Sequence, residues 1–332
     1  MRLPDFEYLE PGSLDEALNM LVEHLGRTAI LAGGTDLVDR LNKRLVNPVT
    51  MMSLKNLTEL NYISRQDDKV LIGSMTPLAS VIDSEVVNEH FKALAQAVAL
   101  IGAPSIQHFR GTIGGNLCLE TRCLYYNQSQ MWRSGRTRCH KDRGETCYAE
   151  ENSDRCRSAN QSDGACALMA LGADIVLVST KGKRRISIEE FFTGKGEAPF
   201  ALEPDELVLE IQLSIPKERH ASSFKKLRYR SSIDFALVSA ATQLKENEGK
   251  ITEAKIAIGG AGASPLFLKE ASEILKGKDI GDSGAVDKAA DRVIKHTSAF
   301  MVDNLGSTLD YRRKMSGLMA KHALKEAQER IK

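Results

Sequence analysis

Six cysteines are the residues of this sequence whose type and spacing most clearly indicate chemistry. All of them lie between positions 118 and 166, and the rest of the 332-residue chain has none. Thiolates gathered in one segment can bind a metal ion or an iron–sulfur cluster, or they can pair as disulfides. The N-terminus has no basic region followed by an apolar one, so we expect a cytoplasmic protein, in which disulfides are rare. Metal or redox chemistry is therefore favoured over a disulfide framework.

Four of the cysteines, Cys123, Cys139, Cys147 and Cys156, lie in a stretch without hydrophobic periodicity that runs from residue 121 to residue 163. So long a segment without a core pattern needs something besides apolar burial to order it, and metal ligation is one such source. None of these cysteines has a partner two to four positions away, as zinc ribbons require, and the ferredoxin C-x-x-C-x-x-C run is absent. Spacing alone leaves zinc and an iron–sulfur cluster equally open.

Basic side chains surround these cysteines. They are expected either to lower the thiol pKa values and offset an anionic cluster or simply to form a solvated basic loop. These residues are Arg122, Arg133, Arg136, Arg138, Lys141, Arg143, Arg155 and Arg157. Tyr125, Tyr126 and Trp132 lie in the same stretch, and such rings either pack in a core or interface or stack on a flavin.

Two glycine-rich loops, at residues 33–36 and 111–116, each follow an apolar stretch. Glycine lets backbone N–H groups approach an anion closely, so a diphosphate is the ligand that such loops suit best. Neither loop has the G-x-G-x-x-G or Walker A spacing, and each could be only a tight turn. The presence of two such loops, each bordered by Thr or Asn, favours binding of a dinucleotide.

Composition excludes several classes of protein. The formal net charge is +1, which gives no global field to attract nucleic acid or an anionic membrane. No apolar run reaches the roughly 18 residues of a membrane span. No set of histidines suggests a metal site, and no Ser/His/Asp set suggests nucleophilic catalysis.

Hydrophobic periodicity predicts that three α+β units position these residues. The predicted units are residues 1–56, residues 57–218 with the cysteine-bearing insertion 121–163, and residues 219–332. Helices are predicted from Leu14, capped by Ser13 and Glu16, and over 165–172, 266–275, 285–296 and 310–331. Strands are predicted over 28–32, 50–54, 174–180, 236–244 and 251–258, with a hairpin around residues 66–68.

Five ordered motifs resemble the FAD-binding subunit of the molybdenum hydroxylases, the family of xanthine dehydrogenase and carbon monoxide dehydrogenase. The motifs are Ala32-Gly33-Gly34-Thr35-Asp36-Leu37, Thr112-Ile113-Gly114-Gly115-Asn116-Leu117, Asp163 with Ala167–Ala173, Lys226 with Arg230, Asp234 and Ala236, and Tyr311-Arg312-Arg313 through Leu324. The resemblance implies a two-part α+β FAD domain of the PCMH type with the flavin between its halves. A C-terminal α+β domain with a small antiparallel sheet and helices is implied to follow.

The resemblance also implies which residues bind FAD. The expected FAD-binding residues are Leu31, Ala32, Gly33, Gly34, Thr35, Asp36, Leu37, Gly102, Thr112, Ile113, Gly114, Gly115, Asn116, Tyr125, Asp163 and Lys226. The cysteine-bearing insertion is similar to that of 4-hydroxybenzoyl-CoA reductase β subunits, including Cys118-Leu-Glu-Thr-Arg-Cys123-Leu-Tyr-Tyr-Asn127. That similarity implies a [4Fe–4S] cluster bound by Cys123, Cys139, Cys147 and Cys156, with Cys118 and Cys166 outside the ligand set.

The function implied is electron transfer, with no catalytic residue on this chain. Partner chains are expected to hold molybdenum, on a large subunit, and two [2Fe–2S] clusters, on a small one, in a dimer of heterotrimers. Electrons would pass from a donor such as ferredoxin through [4Fe–4S] and FAD to molybdenum, where an aryl-CoA loses a phenolic hydroxyl. One alternative is a xanthine dehydrogenase-like hydroxylase with outward electron flow. Another is a zinc-stapled binding module without a redox role.

Overall fold

Residues 3–331 are described by the computed structural model, and they begin with a small parallel sheet. Its strands lie in the order β1-β3-β2, and they are β1 (Glu7–Leu9), β2 (Thr28–Leu31) and β3 (Thr50–Ser53). Two helices connect them, α1 (Leu14–Glu23) and α2 (Leu37–Asn42). Ser13 caps α1 by accepting from the Glu16 amide, as predicted, whereas the Glu16 carboxylate accepts from the Gly12 amide.

A five-stranded antiparallel sheet follows, in the order β4-β5-β8-β6-β7. Its strands are β4 (Ile63–Gln66), β5 (Lys69–Gly73), β6 (Asp174–Ser179), β7 (Gly182–Ser187) and β8 (Leu207–Ser214). The helices that precede the cysteine segment are α3 (Leu78–Asp83), α4 (Glu85–His90), α5 (Lys92–Ala99), α6 (Gln107–Arg110) and α7 (Ile113–Leu117). Apolar side chains of this sheet and of α3, α5 and α7 form the largest hydrophobic core.

The cysteine segment, residues 121–163, is mostly irregular, as its lack of periodicity predicts. Its regular pieces are a short helix α8 (Gln130–Ser134) and the single 3₁₀ turn His140–Asp142. Near the two ends of the segment, the backbones of Arg122 and Ala159 pair with N···O distances of 2.7 and 2.8 Å. Two helices come after it, α9 (Asp163–Leu171) and α10 (Ile188–Phe191). Every residue of α9 is buried, so the segment ends on a rigid core element.

The C-terminal part has a four-stranded antiparallel sheet in the order β12-β11-β10-β9. Its strands are β9 (Arg219–Leu227), β10 (Val238–Asn247), β11 (Lys250–Gly259) and β12 (Leu266–Phe267). Its helices are α11 (Lys269–Glu273), α12 (Ser283–Thr297) and α13 (Leu309–Ile331). Arg312 of α13 is fully buried and donates to the carbonyl oxygens of Leu237, Val302 and Gly260, which fixes the end of β11.

Some elements differ from the prediction. The predicted helix over 266–275 is wrong at its start, because Leu266 and Phe267 pair with Ile258 and Ala257 as a strand. Strand β7 lacks the alternating apolar pattern because it is an exposed edge strand rich in Lys and Arg, a composition that discourages further strand pairing. Among residues 3–331, no helix is long and apolar enough to cross a membrane.

Candidate functional site

A cavity of about 740 Å³ lies where the two glycine loops face each other. We call it the glycine-loop cavity. Most residues expected to bind FAD line it, namely Ala32, Gly33, Gly34, Thr35, Asp36, Leu37, Gly102, Thr112, Gly114, Gly115, Asn116, Asp163 and Lys226. Three expected residues do not line it. Ile113 is fully buried in the core, Leu31 ends strand β2, and Tyr125 lines a different cavity.

The glycines of the two loops are required by packing between backbones. A Cβ atom on Gly33 would lie 1.7 Å from the carbonyl oxygen of Arg110, which precedes the second loop. A Cβ atom on Gly114 would lie 2.7 Å from the carbonyl oxygen of Ser74. Both substitutions would therefore force backbone atoms apart, because real Cβ atoms do not come so close. Gly115 has more room, with Thr112 Oγ1 at 3.0 Å and Ala32 Cβ at 3.7 Å.

Asp163 and Lys226 form a buried ion pair at the side of the cavity. The distance from Lys226 Nζ to Asp163 Oδ2 is 2.5 Å, and the two side chains are 2% and 5% exposed. Lys226 Nζ also donates to the carbonyl oxygen of Leu100 at 3.1 Å. Burial raises the pKa of Asp163, against the opposing effect of the Lys226 charge. The two residues therefore already satisfy much of each other's bonding capacity.

The second glycine loop is joined to the start of α9. Asn116 Oδ1 accepts a hydrogen bond from Ser162 Oγ at 2.9 Å and from the Gly164 amide at 3.1 Å. Ser162 in turn caps α9 by accepting from the Ala165 amide. The loop and the buried helix therefore hold one wall of the cavity as a single unit.

The cavity is also lined by residues that sequence reasoning did not single out. Among them are Ser74, Gln161, Ile233 and Phe235. Gln161 lies two positions before Asp163, so its place in the chain was a usable signal. Ile233 and Phe235 flank Asp234 of the fourth motif and had a similar signal. Ser74 is far from all the motifs in sequence and carries no such signal.

A second, small cavity lies within the cysteine segment, and we call it the cysteine cavity. Cys123, Cys139, Cys147 and Cys156 all line it, together with Tyr125, Tyr126, His140, Lys141, Thr146, Tyr148, Arg157 and Ser158. All six cysteines of the chain are free. Across the described residues 3–331, no group of three or more His, Cys, Asp or Glu side chains is placed so that it could hold a metal ion. The four thiols nevertheless line one cavity, and thiolates are the ligands that bind iron–sulfur clusters.

Burial controls the protonation of Cys123 and Cys156 more than the nearby cations do. It raises the pKa of Cys123 to about 11, and it raises that of Cys156 despite the opposing effect of the hydrogen bond between Cys156 Sγ and Ser158 Oγ. The charge of Lys141 does act to lower the pKa of Cys156, as expected of the basic side chains, but burial outweighs it. The other cysteines lie apart. Cys118 lines the glycine-loop cavity, and Cys166 donates to the carbonyl oxygen of Ala257 from within α9.

The two cavities are adjacent along the chain and are connected by ion pairs. Arg122 lines the glycine-loop cavity directly before Cys123 and bonds Asp36 of the first glycine loop. Its guanidinium lies 5.1 Å from the centre of the Phe235 ring. Burial raises the pKa of Asp36, and the charges of Arg122 and Arg40 oppose that rise.

Lys141 makes the second connection. Its Nζ donates to Glu120 Oε1 at 2.7 Å and to the carbonyl oxygen of Gly196 at 2.8 Å, and it also bonds the Thr121 hydroxyl. Glu120 Oε2 accepts from Arg40, which lines the glycine-loop cavity, at 3.1 Å. The cysteine segment is thereby joined to helix α2, which directly follows the first glycine loop.

Comparison with known proteins agrees with this architecture. Residues 4–217 match the family described as the FAD binding domain in molybdopterin dehydrogenase, and residues 222–327 match the CO dehydrogenase flavoprotein C-terminal domain. The chain is 30% identical to the nicotinate dehydrogenase FAD-subunit of Eubacterium barkeri over 83% of this chain and 81% of that protein. It is 28% identical to the carbon monoxide dehydrogenase medium chain of Afipia carboxidovorans, over 98% of both.

A solved structure shows the same fold. The carbon monoxide dehydrogenase of Hydrogenophaga pseudoflava, in a form lacking the Mo-pyranopterin moiety, superposes with a TM-score of 0.80 at 26% identity, covering 99% of both chains. Fold and cavity thus define an FAD-binding subunit of an oxidoreductase. The chain belongs to the FAD-binding medium subunits of the molybdenum hydroxylase family.

Proposed function

We propose that this chain is an electron-transfer subunit that holds both FAD and a [4Fe–4S] cluster within a molybdenum enzyme. FAD exchanges electrons in pairs or singly, and a [4Fe–4S] cluster exchanges one electron at a time. The observation that carries the proposal is the convergence of Cys123, Cys139, Cys147 and Cys156 on one cavity next to the glycine-loop cavity. The alternative of a zinc-stapled module predicts zinc and no flavin in the purified chain.

The proposed FAD contacts are the sixteen residues expected from the family motifs, of which those lining the glycine-loop cavity have the best structural support. The loop backbones would hold the diphosphate through their N–H groups. We also propose domain limits of 1–56, 57–218 and 219–332, each of which contains one of the three sheets.

The proposed assembly contains a molybdenum-binding large subunit and a [2Fe–2S] small subunit, as a dimer of heterotrimers. The names of relatives support separate chains of this kind, since several are medium chains or FAD subunits. The chain itself has only Cys118 and Cys166 besides the four proposed ligands, too few for a Cys₄ [2Fe–2S] site.

The proposed electron donor is an acidic protein of the ferredoxin type. The guanidinium carbon of Arg136 lies 4.3 Å from the centre of the Trp132 ring and 4.7 Å from that of Tyr148, which lines the cysteine cavity. Trp132 is 40% exposed and Met131 is 87% exposed. Exposed apolar groups beside a cation suit a transient protein contact, and an arginine favours an acidic partner.

The proposed reaction is reductive removal of the hydroxyl of 4-hydroxybenzoyl-CoA or a related aromatic compound. The cysteine-bearing insertion supports it through its resemblance to the β subunits of that reductase. A second candidate is a hydroxylase whose electrons leave through this chain, and the names of relatives that are dehydrogenases of nicotinate, caffeine and carbon monoxide favour it.

Purification of the native complex and two assays separate these candidates. If the complex is a reductase, it should convert 4-hydroxybenzoyl-CoA when a reduced low-potential donor is supplied, and aromatic substrates of hydroxylases should not reduce an added electron acceptor. If it is a hydroxylase, such aromatics should reduce the acceptor and 4-hydroxybenzoyl-CoA should not be converted. Failure of both assays in a complex that contains molybdenum, iron and FAD would contradict both substrate assignments.

A further inference from the structure

Gln161 is a buried glutamine in the wall of the glycine-loop cavity, and its side chain is left without hydrogen bonds. The residue is 4% exposed. Neither its Oε1 nor its Nε2 has a partner among the described residues, although both atoms are inaccessible to water. A buried carboxamide in this state is unfavourable, because its lost hydrogen bonds to water are not replaced. The position therefore indicates a partner that the chain itself does not provide.

The backbone around Gln161 is fixed on both sides. The Asn160 amide donates to the carbonyl oxygen of Gly262 at 2.8 Å, and the Asn160 carbonyl accepts from the Gly260 amide at 3.2 Å. On the other side, Ser162 bonds Asn116 of the second glycine loop. The backbone that carries Gln161 is thus held at a set place where the cavity meets the C-terminal part of the chain. Such fixed placement is what a ligand-binding side chain requires.

The charged groups beside Gln161 are already paired. Asp163 and Lys226 bond each other, and Lys226 also bonds the Leu100 carbonyl. A carboxamide differs from both because it can donate and accept at once. The isoalloxazine ring of a flavin offers carbonyl acceptors and an imide N–H donor, so its bonding groups match a carboxamide.

We propose that the Gln161 carboxamide hydrogen-bonds the bound FAD and acts as a positioning residue that tunes flavin affinity and potential. The proposal rests on the assignment of the glycine-loop cavity to FAD. Hydrogen bonds to a flavin are among the means by which a protein tunes its electronics. The FAD hydrogen bonds would replace those that Gln161 lacks within the chain.

The test uses the full chain, stripped of flavin and reconstituted, in wild type and in Gln161→Leu. We expect Gln161→Leu to weaken FAD binding about tenfold to a hundredfold, to shift the flavin absorbance spectrum and midpoint potential, and to leave the melting temperature of the flavin-free protein unchanged or higher. A purely structural role predicts a lower melting temperature without FAD and unchanged flavin properties.

Gln243→Leu is the matched control, because Gln243 is 3% exposed and its Nε2 is also unpartnered, but it does not line the cavity. We expect it to leave FAD affinity and potential unchanged. Gln161→Glu, of nearly the same shape, should lower the flavin potential because it places a carboxylate beside the ring. Unchanged FAD affinity and spectrum in both Gln161 variants would overturn the proposal, whereas a wild-type chain that binds no FAD would overturn the proposed function itself.

Discussion

The ammonium of Lys141 lies 2.7 Å from the carboxylate of Glu120, and this pair joins the cysteine segment to the flavin-binding part of the chain. The Lys141 side chain is 5% exposed, and Glu120 also accepts from Arg40 of helix α2. Removing Lys141 leaves Glu120 with Arg40 as its remaining counter-charge, whereas removing Glu120 leaves the buried Lys141 ammonium without a carboxylate. The geometry of the two cavities relative to each other therefore depends on it.

Lys141→Met should lower the free energy of unfolding by about 1–2 kcal/mol, because Glu120 would keep only Arg40 as a counter-charge and the Gly196 carbonyl would lose its donor. The segment over 121–163 should also become sensitive to protease. Urea unfolding and limited proteolysis measure the two effects. Arg138→Met is the control in the same segment, since Arg138 is exposed, and it should change stability by less than about 0.5 kcal/mol. Equal effects of the two substitutions would refute the anchoring role.

The same pair predicts a pH dependence of stability. Burial would raise the pKa of Glu120, but the charges of Lys141 and Arg40 prevail and hold it below its ordinary value of 4.5. On acidification the unfolded chain thus takes up a proton at Glu120 before the folded chain does. The stability from Glu120 is present above about pH 4.5 and is lost as the pH falls through the lower folded-state pKa.

Glu120→Gln removes this ionisation. The loss of unfolding free energy between pH 7 and pH 4 should therefore be smaller in this variant than in wild type, as measured by urea unfolding at each pH. Glu151→Gln, at an exposed position of the cysteine segment, should lose as much unfolding free energy between pH 7 and pH 4 as wild type does. If the unfolding free energy of Glu120→Gln fell as steeply with pH as that of wild type, the Glu120 carboxylate would not contribute to the pH dependence of stability.

Substitutions in the glycine loops should separate folding from FAD binding. Gly33→Ala should lower stability by about 3 kcal/mol, because its Cβ atom would meet the Arg110 carbonyl at 1.7 Å. Gly115→Ala is the milder change, because its Cβ atom would meet the Thr112 hydroxyl at 3.0 Å and no backbone atom, and it should weaken FAD binding about tenfold by placing a methyl group in the cavity. Gly281→Ala, in open space, should change neither property. Normal FAD affinity in Gly115→Ala would argue against close approach of the cofactor to this loop.

Much of this arrangement follows from local sequence signals. The glycine loops could be located because only glycine permits the backbone contacts that Gly33 makes, and the irregular segment could be recognised by its missing periodicity. Strands β7 and β9 could not be predicted from the sequence, because β7 is an exposed edge strand and β9 mixes charged and small residues. The Lys141–Glu120 pair and the missing hydrogen bonds of Gln161 could not be predicted either, since both depend on distances between segments that no local pattern encodes.

Serine substitutions should sort the six cysteines into two groups. Loss of any one of Cys123, Cys139, Cys147 and Cys156 should abolish the reduced-state EPR signal of a [4Fe–4S] cluster and loosen the cysteine segment. Cys118→Ser and Cys166→Ser should keep the signal, because neither thiol lines the cysteine cavity. An intact signal in one of the four variants, together with its loss in Cys118→Ser or Cys166→Ser, would refute the ligand assignment.

The most direct test of an FAD- and [4Fe–4S]-containing subunit is cofactor analysis of the chain purified without oxygen. Acid extraction followed by chromatography identifies the flavin, and metal and sulfide assays give the cluster content. We expect about one FAD, about four iron atoms and about four sulfides per chain. Zinc in place of iron, or FMN or no flavin in the acid extract, would contradict the account.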